Sequence, residues 1–328
     1  MNLVLDSVLP LFALILAGYL CGVFRVLGPA ATDSLNLFVV WLALPALLFQ
    51  AVAQARWVEV NHPAFILSIA AGMLVPFALW LVVALGRGRA PARQPGAGLT
   101  DASIEGLAAS YPNSGFMGVP LCLAVFGREG LHPAIIATLL TACLLFGLSL
   151  ALIEVGLQQG RGTGRALLRV SAILARNPLL IAPVLGLAVA LARLPLPGPV
   201  LRFTGLLGGA ASPCALVTIG LFLAQSRAAG QGRAGRREVL AIVALKLVLQ
   251  PLITGVLVFR VFDLGQPWAS AALLLSALPV GTGPFMLAKL YDRKAAITAR
   301  AILLSTVLSL LTISLLVAWI GRARPEAP

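Results

Sequence analysis

The chain has 328 residues, of which 60% are hydrophobic and 11% are charged, and its mean hydropathy is +1.00. Because a soluble domain carries about 25% charged residues, this composition excludes a water-soluble globular fold and indicates an all-α integral membrane protein. The formal net charge is +13. Basic residues of membrane proteins collect in cytoplasmic loops, so we attribute this excess to topology and expect no nucleic-acid partner.

Ten apolar segments follow one another along the chain. Most of them are long enough to span a hydrocarbon core of about 30 Å as an α-helix. The sequence therefore predicts ten transmembrane helices. The segments are 3–24, 34–55, 64–86, 103–126, 132–156, 178–193, 203–225, 238–260, 268–291 and 297–320.

The basic residues between these segments predict the orientation. If the amino terminus lies outside, the inner loops hold 15 lysines and arginines, the outer segments hold seven, and two more lie inside spans. Positive charge favours the cytoplasmic side. We therefore expect a bacterial inner-membrane protein with both termini on the extracytoplasmic side.

The chain divides into two halves of five spans each, residues 1–156 and 178–328. The linker between them, 157–177, carries Arg165 and Arg169 one helical turn apart beside an apolar face, which predicts an amphipathic helix at the inner membrane surface. An odd number of spans places the second half in the opposite orientation to the first. The sequence thus predicts two inverted five-helix repeats, and similar segments around Pro45 and Pro213 support this.

Helix-breaking residues cluster in the fourth and ninth spans, the second-to-last span of each half. Two prolines and two glycines fall between Pro112 and Pro120, and four such residues fall between Pro279 and Pro284. Proline removes a backbone donor and glycine loosens the helix, so both clusters predict an interrupted helix near the bilayer centre. Matching interruptions in inverted repeats indicate a transporter binding site, where half-helix N–H groups can hold a carboxylate. The predicted crossover and hinge residues are Pro45, Pro112, Gly118, Pro120, Pro213, Pro279, Gly283 and Pro284.

Few polar residues lie at these interruptions. The amide of Asn113 can contact a ligand or cap the interrupted helix, and Ser114 and Thr282 can contact a ligand or bond their own backbone one turn back. Lys246 lies inside the eighth span, where a charge marks a pathway or a partner unless the side chain reaches the surface. We expect Pro112 and Pro279 to approach each other beside a cavity with Lys246 within reach. The predicted substrate-binding residues are Asn113, Ser114, Gly115, Lys246, Gln250, Gly281 and Thr282.

The segment from Asn113 to Pro120, Asn-Ser-Gly-Phe-Met-Gly-Val-Pro, resembles the NxGFMGxP signature of the auxin efflux carrier family. The sequence around Pro45, the pair Asn177-Pro178 and the segment 285–291 fit the same family. This family includes bacterial malonate-type permeases and plant auxin exporters. The resemblance covers essentially the whole chain.

The resemblance implies ten helices in two inverted repeats, with interrupted helices four and nine crossing at the midplane. It also implies that one bundle moves elevator-like against a scaffold of spans one, two, six and seven, carrying a small organic anion. Auxin exporters have an asparagine at the second crossover, where this chain has Val280-Gly-Thr282-Gly. That difference argues against an auxin-like binding mode.

The predicted function is secondary transport of a small carboxylate by elevator-type alternating access. A sodium-coupled anion symporter of the bile-acid type and a membrane receptor or sensor are the alternatives. No acidic residue lies near either crossover, so no strong sodium cage is evident, although H⁺ and Na⁺ both remain open as coupling ions. The two histidines, His62 and His132, lie at span edges and no catalytic motif is present, so we expect no enzyme, cofactor or metal site. The expected partners are the organic anion and the lipid bilayer, with a homodimer as an open assembly.

Overall fold

The structure, a computed structural model, describes six parts of the chain. They are residues 9–54, 62–86, 97–157, 176, 178–228 and 235–323. These residues form helices joined by short turns, and no strand occurs among them. The amphipathic helix predicted around Arg165 and Arg169 lies outside the described residues.

Twelve helices run through the described residues, numbered here in chain order. They are α1 (Leu9–Val23), α2 (Pro29–Gln54), α3 (Pro63–Gly86), α4 (Ala97–Ala108), α5 (114–126), α6 (131–157), α7 (Pro178–Leu191), α8 (Gly198–Ala228), α9 (Arg236–Val261), α10 (Trp268–Ser276), α11 (Gly283–Leu290) and α12 (Ala295–Ala323).

Six helical stretches among these residues are long and apolar enough to cross a membrane. One of them, Ser114–Leu157, holds 44 residues and comprises α5 and α6, which are joined by the 3₁₀ turn Gly127–Gly130. The outer surface is apolar as well: Leu206 is 81% exposed and Phe24 is 73% exposed. Large apolar side chains on the surface are expected where lipid is the solvent. The chain is therefore a multi-pass membrane protein.

Three of the π-helical turns end shortly before a proline. The turns Val39–Ala43, Ser114–Gly118 and Leu245–Leu249 each end two residues before Pro45, Pro120 or Pro251. A proline ring clashes with the carbonyl four residues earlier and offers that carbonyl no N–H. We attribute each widened turn to the proline that follows it, because the extra residue moves the carbonyl away from the ring.

The helices pack in two groups. The first helix group consists of α1, α2, α7 and α8, with its most extensive contacts between α1 and α8 and between α2 and α7. Glycines permit these close approaches, as is usual between membrane helices. A Cβ on Gly18 would overlap the carbonyl of Val217, and one on Gly186 would lie 2.6 Å from the carbonyl oxygen of Phe49.

The second helix group consists of α3 to α6 and α9 to α12. Polar contacts join its segments at one end. Lys294 Nζ lies 2.9 Å from Glu105 Oε1, and Arg293 Nε lies 2.6 Å from Asp101 Oδ1, so the turn between α11 and α12 is paired with α4. Contacts between the two groups are sparser than contacts within them, and they run mainly from α8 to α5 and α12 and from α2 and α7 to α6.

Candidate functional site

Two non-helical segments meet inside the second helix group. The first break is 109–113, between α4 and α5, and the second break is 277–282, between α10 and α11. Pro112 faces Val280 in a short antiparallel bridge. The N–H of Asn113 donates to the carbonyl of Pro279 at 2.9 Å, and the N–H of Gly281 donates to the carbonyl of Tyr111 at 3.0 Å. The expected approach of Pro112 and Pro279 is therefore present, with Asn113 bonded directly to Pro279.

The breaks are narrower than the clusters of helix-breaking residues predict. Gly115, Gly118 and Pro120 lie in α5, which resumes at Ser114 as a π turn. The reason is that the N–H groups of Met117 and Gly118 both bond the carbonyl of Asn113, so helical pairing restarts before the second glycine.

The remaining predicted hinge residues lie in or at the ends of helices. Gly283 and Pro284 are the first two residues of α11. The first N–H groups of a helix have no helical acceptor, so a proline at this position costs no hydrogen bond. Pro45 lies in α2 just after a π turn, and Pro213 lies inside α8. Neither Pro45 nor Pro213 interrupts its helix or joins the two breaks.

A cavity of about 100 Å³ lies beside the paired breaks. Its walls come from both breaks, from the starts of α5 and α11, and from α2 and α6. The lining residues are Val40, Leu44, Tyr111, Pro112, Asn113, Ser114, Gly115, Phe116, Thr138, Thr141, Ala142, Phe146, Thr282, Gly283 and Met286. None of these residues carries a formal charge at neutral pH.

Two helix N-termini lie on the wall of this cavity. In α5, the N–H groups of Ser114, Gly115 and Phe116 belong to the first turn and have no helical acceptor. In α11, the first helical donor is the N–H of Met286, which bonds the carbonyl of Thr282, so the N–H of Gly283 is likewise without a helical acceptor. Each terminus is equivalent to about half a positive elementary charge, and together they suit one carboxylate.

Among the described lining residues, Asn113 alone carries a side-chain amide. It is 6% exposed, and its side chain makes no capping hydrogen bond to α5, although the residue occupies the N-cap position. The geometry favours ligand contact over capping, because a buried amide without a bond to its own helix leaves its donors and acceptor for another group.

A short chain of hydroxyls fixes the wall on the α6 side. Ser114 Oγ donates to Thr141 Oγ1 at 3.1 Å, and Thr141 Oγ1 donates to the carbonyl of Ala137 at 2.6 Å. The alternative in which Ser114 bonds its own backbone one turn back is wrong. Thr138 and Thr141 line the cavity but are not among the predicted residues, and their signal is a polar pair one turn apart in the otherwise apolar stretch 133–148.

Tyr111 fills the space that two glycines leave open. A Cβ on Gly281 would lie 2.9 Å from the Tyr111 ring, and one on Gly283 would lie 2.6 Å from its Cζ atom. The ring also packs edge-on against Phe146, with centroids 6.4 Å apart. Gly281 thus supports the site by admitting the ring, and it is not among the residues that line the cavity.

Lys246 and Gln250 are not among the residues that line the cavity, and the expectation that Lys246 lies within its reach stays a prediction. Lys246 is fully buried, and its Nζ donates to the carbonyl of Ser276 at 2.8 Å, at the last residue of α10. Because none of its surface is exposed, the alternative that the side chain reaches the membrane surface is wrong. Gln250 is 1% exposed, and its Oε1 has no described hydrogen-bond partner.

Comparison with known proteins identifies the family of this chain. A family model described as membrane transport protein matches residues 3–317, which is nearly the whole chain. The chain belongs to this family, the auxin efflux carriers. The resemblance predicted from the Asn113–Pro120 motif is thereby confirmed, and this carrier is a transport protein and not an enzyme.

Three similar proteins are full-length matches to the carrier. A Rhizobium meliloti protein named "Putative malonate transporter" is 30% identical over 314 residues, covering 94% of this chain and 92% of the relative. An uncharacterised transporter from Methanothermobacter thermautotrophicus is 28% identical, covering 94% of this chain and 96% of the relative. Another uncharacterised transporter, from Methanocaldococcus jannaschii, is 24% identical, covering 95% of this chain and 97% of the relative.

Proposed function

We propose that this carrier moves a small carboxylate across the bacterial inner membrane by elevator-type alternating access. The observation that supports the proposal best is the cavity at the paired breaks. Two helix N-termini supply positive potential there, while none of the described residues on the wall carries an ionised side chain. Such a site can hold an anion by means of helix N-termini, so no cationic side chain is left buried when the site is empty.

A ten-span count follows when each interrupted pair is taken as one span. Helices α4 and α5 then form span four, and α10 and α11 form span nine. Each is the second-to-last span of its half, as in two inverted five-helix repeats spanning 1–156 and 178–328. The reciprocal hydrogen bonds between the breaks support this symmetry, because each break both donates to and accepts from the other.

The elevator motion is supported by how the helices divide. The first helix group contains spans one, two, six and seven, and the second group contains the breaks. The cavity lies where the groups meet, since Val40 and Leu44 come from α2 and the remaining lining residues come from the second group. Sliding the second group past a fixed first group would carry the site from one side to the other. The homodimer remains a prediction.

The substrate is a small organic anion. A cavity of about 100 Å³ is well below the roughly 300–1,000 Å³ of sites for drug-sized ligands, so a compact carboxylate fits best. The amide of Asn113 and the hydroxyl of Thr282 could donate to its oxygens, whereas the hydroxyl hydrogens of Ser114 and Thr141 are already donated to Thr141 Oγ1 and to the carbonyl of Ala137. The name of the Rhizobium relative makes malonate the first substrate to test.

Uptake by purified protein in liposomes tests the proposal. A panel of labelled mono- and dicarboxylates, including malonate, acetate and succinate, is compared with labelled amines and sugars of similar size. We expect saturable uptake of at least one small carboxylate, and none of the cations or neutral compounds. Empty liposomes supply the leak rate. Uptake of amines or sugars with no carboxylate uptake would overturn the anion assignment.

A further inference from the structure

Lys246 places an ionisable amine deep in the second helix group, at a position that does not line the cavity. Its side chain is completely buried, and its Nζ lies 2.8 Å from the carbonyl oxygen of Ser276. None of the described ion pairs includes Lys246. A buried ammonium is costly in a membrane unless other groups offset its charge, so what lies around the Ser276 carbonyl decides its role.

The carbonyl of Ser276 is free because of how the second break is built. In a continuous helix it would accept from the N–H of Val280, four residues on. That N–H donates instead to Ser305 Oγ of α12 at 3.0 Å. The preceding carbonyl, of Leu275, would pair with residue 279, which is a proline and has no N–H. The break therefore leaves the carbonyls of Leu275 and Ser276, at the negative end of α10, without partners in a helical backbone.

A cation is the natural partner for such an end. In secondary transporters, the C-terminal ends and unwound carbonyls of interrupted helices coordinate the coupling Na⁺, while the N-terminal ends face the anionic substrate. In this carrier the N-termini of α5 and α11 face the cavity, and the C-terminus of α10 is occupied by the Lys246 ammonium. Lys246 belongs to α9, whose main contacts lie within the second helix group, so the amine moves together with the site.

We propose that the Lys246 ammonium is a built-in replacement for a coupling cation at the C-terminus of α10, and that it makes carboxylate transport independent of Na⁺. The inference rests on the proposed transport of an anion, because it assigns the ion coupling of that same site. Lys246 acts here as a positioning residue. It fixes the end of α10 and, through the hydrogen bonds between the breaks, the donors at the cavity.

Thermal unfolding of purified protein tests, without any substrate, whether an ammonium is needed beside the Ser276 carbonyl. The variant Lys246→Ala removes the propylammonium part of the side chain and leaves a gap beside Ser276. We expect propylammonium chloride to raise the Tm of Lys246→Ala by about 4 °C at saturating concentration, and 1-propanol to have no such effect. Wild-type protein is the control and should respond to neither. Equal stabilisation by 1-propanol would mean that the gap and not the charge matters, which would overturn the proposal.

Transport measurements supply the second arm. Wild-type liposomes should take up the best carboxylate of the panel equally in Na⁺, K⁺ and choline media. Lys246→Met, which keeps the length of the side chain without its charge, should be at least about tenfold slower. Lys246→Arg, which keeps the charge, should recover a substantial part of the rate. The inference would be overturned if the wild-type protein required Na⁺, or if Lys246→Met took up carboxylate at the rate of the wild-type protein.

The two arms separate this inference from the proposed function. If the wild-type protein carries no carboxylate in any medium, the transport proposal fails, while the unfolding experiment still reports whether an ammonium is needed at the end of α10. If carboxylate is carried but only with Na⁺, the transport proposal stands and the role of Lys246 is rejected.

Discussion

The backbone N–H of Asn113 donates to the carbonyl oxygen of Pro279 at 2.9 Å, joining two residues from opposite halves of the chain. This bond and its counterpart from Gly281 to Tyr111 satisfy polar groups that an interrupted helix would otherwise bury unpaired. They also fix the positions at which α5 and α11 begin. The orientation of the N–H groups around the cavity therefore depends on contacts between the halves and not on either half alone.

Replacing Asn113 by alanine should lower carboxylate uptake by at least about tenfold, equivalent to about 1.4 kcal/mol of lost interaction. The amide lines the cavity and does not cap α5, so the Tm should change little. Asn36→Ala provides a matched control, since Asn36 is an asparagine of α2 that does not line the cavity. Uptake by Asn113→Ala at the wild-type rate and expression level would reject a central role for the amide.

Gly115 and Gly118 should respond differently to the same substitution. A Cβ on Gly115 would lie 3.5 Å from Thr138 Cγ2, an ordinary contact, so Gly115→Ala should fold normally but narrow the cavity and weaken uptake of larger carboxylates. A Cβ on Gly118 would lie 2.8 Å from Leu275 Cδ2 in the buried core. Gly118→Ala should therefore cost about 1–3 kcal/mol of stability by overpacking.

Uptake across a carboxylate size series and Tm separate the two effects. The prediction for these glycines fails if Gly118→Ala is as stable as Gly115→Ala, or if Gly115→Ala handles large and small carboxylates alike.

The breaks show what local sequence can predict. Proline chemistry places an interruption near Pro112 and Pro279 because it removes backbone donors whatever the surroundings. The helix nevertheless resumes at Ser114, ahead of Gly118 and Pro120, since two N–H groups share the carbonyl of Asn113 in a widened turn. That arrangement depends on how α5 packs, which composition does not encode.

The neighbours of the site residues were harder to predict than the residues themselves. The sequence places Lys246 inside an apolar helix, but it does not say that Val280 gives its N–H to Ser305 and thereby frees the Ser276 carbonyl for the ammonium. Thr141 was missed for a similar reason, because its partner Ser114 lies on another helix. Both contacts join segments far apart in the chain, and periodicity within a helix carries no information about them.

The ion pair between Lys294 and Glu105 should contribute more to stability than the neighbouring pair between Arg293 and Asp101. The Glu105 side chain is fully buried, whereas Asp101 is 25% exposed. Lys294→Met should lower the free energy of unfolding by about 2–3 kcal/mol, because it removes one partner of a buried carboxylate. Arg293→Gln should cost about 1 kcal/mol or less.

Chemical denaturation in detergent measures both losses. The double variant Lys294→Met/Glu105→Gln should regain part of the loss, since the buried charge is then gone as well. Equal losses for the two single variants would contradict the importance of burial at this pair.

The orientation can be tested at glycines whose surroundings are open. In a cysteine-free background, cysteines are placed one at a time at Gly28, Gly98, Gly198 and Gly265, where a Cβ meets no atom within 4 Å. If both termini are extracytoplasmic, an impermeant thiol reagent added outside should label the positions 198 and 265, and should label 28 and 98 only after the membrane is permeabilised. The reverse pattern would invert the assignment from basic residues.

Linking the two helix groups should stop transport if one slides past the other. Phe222 of α8 and Phe285 of α11 bring the groups into contact, with ring centroids 4.7 Å apart. In the same cysteine-free background, the pair Phe222→Cys/Phe285→Cys joined by a short thiol cross-linker should lose nearly all uptake, because the link holds the site at one position. Cleaving a reducible version of the cross-linker should restore uptake to the level of the unlinked variant.

A second pair inside the first helix group controls for the effect of cross-linking itself. Gln225 Nε2 donates to Thr32 Oγ1 at 2.6 Å, so Thr32→Cys/Gln225→Cys can be joined by the same reagent. Both positions belong to the group that stays fixed, and uptake should persist after the link forms. Neither Phe222 nor Phe285 lines the cavity, so the inter-group link should leave carboxylate binding measurable when uptake is lost. Full uptake with Phe222→Cys and Phe285→Cys quantitatively joined would reject the elevator motion, whatever substrate the carrier moves.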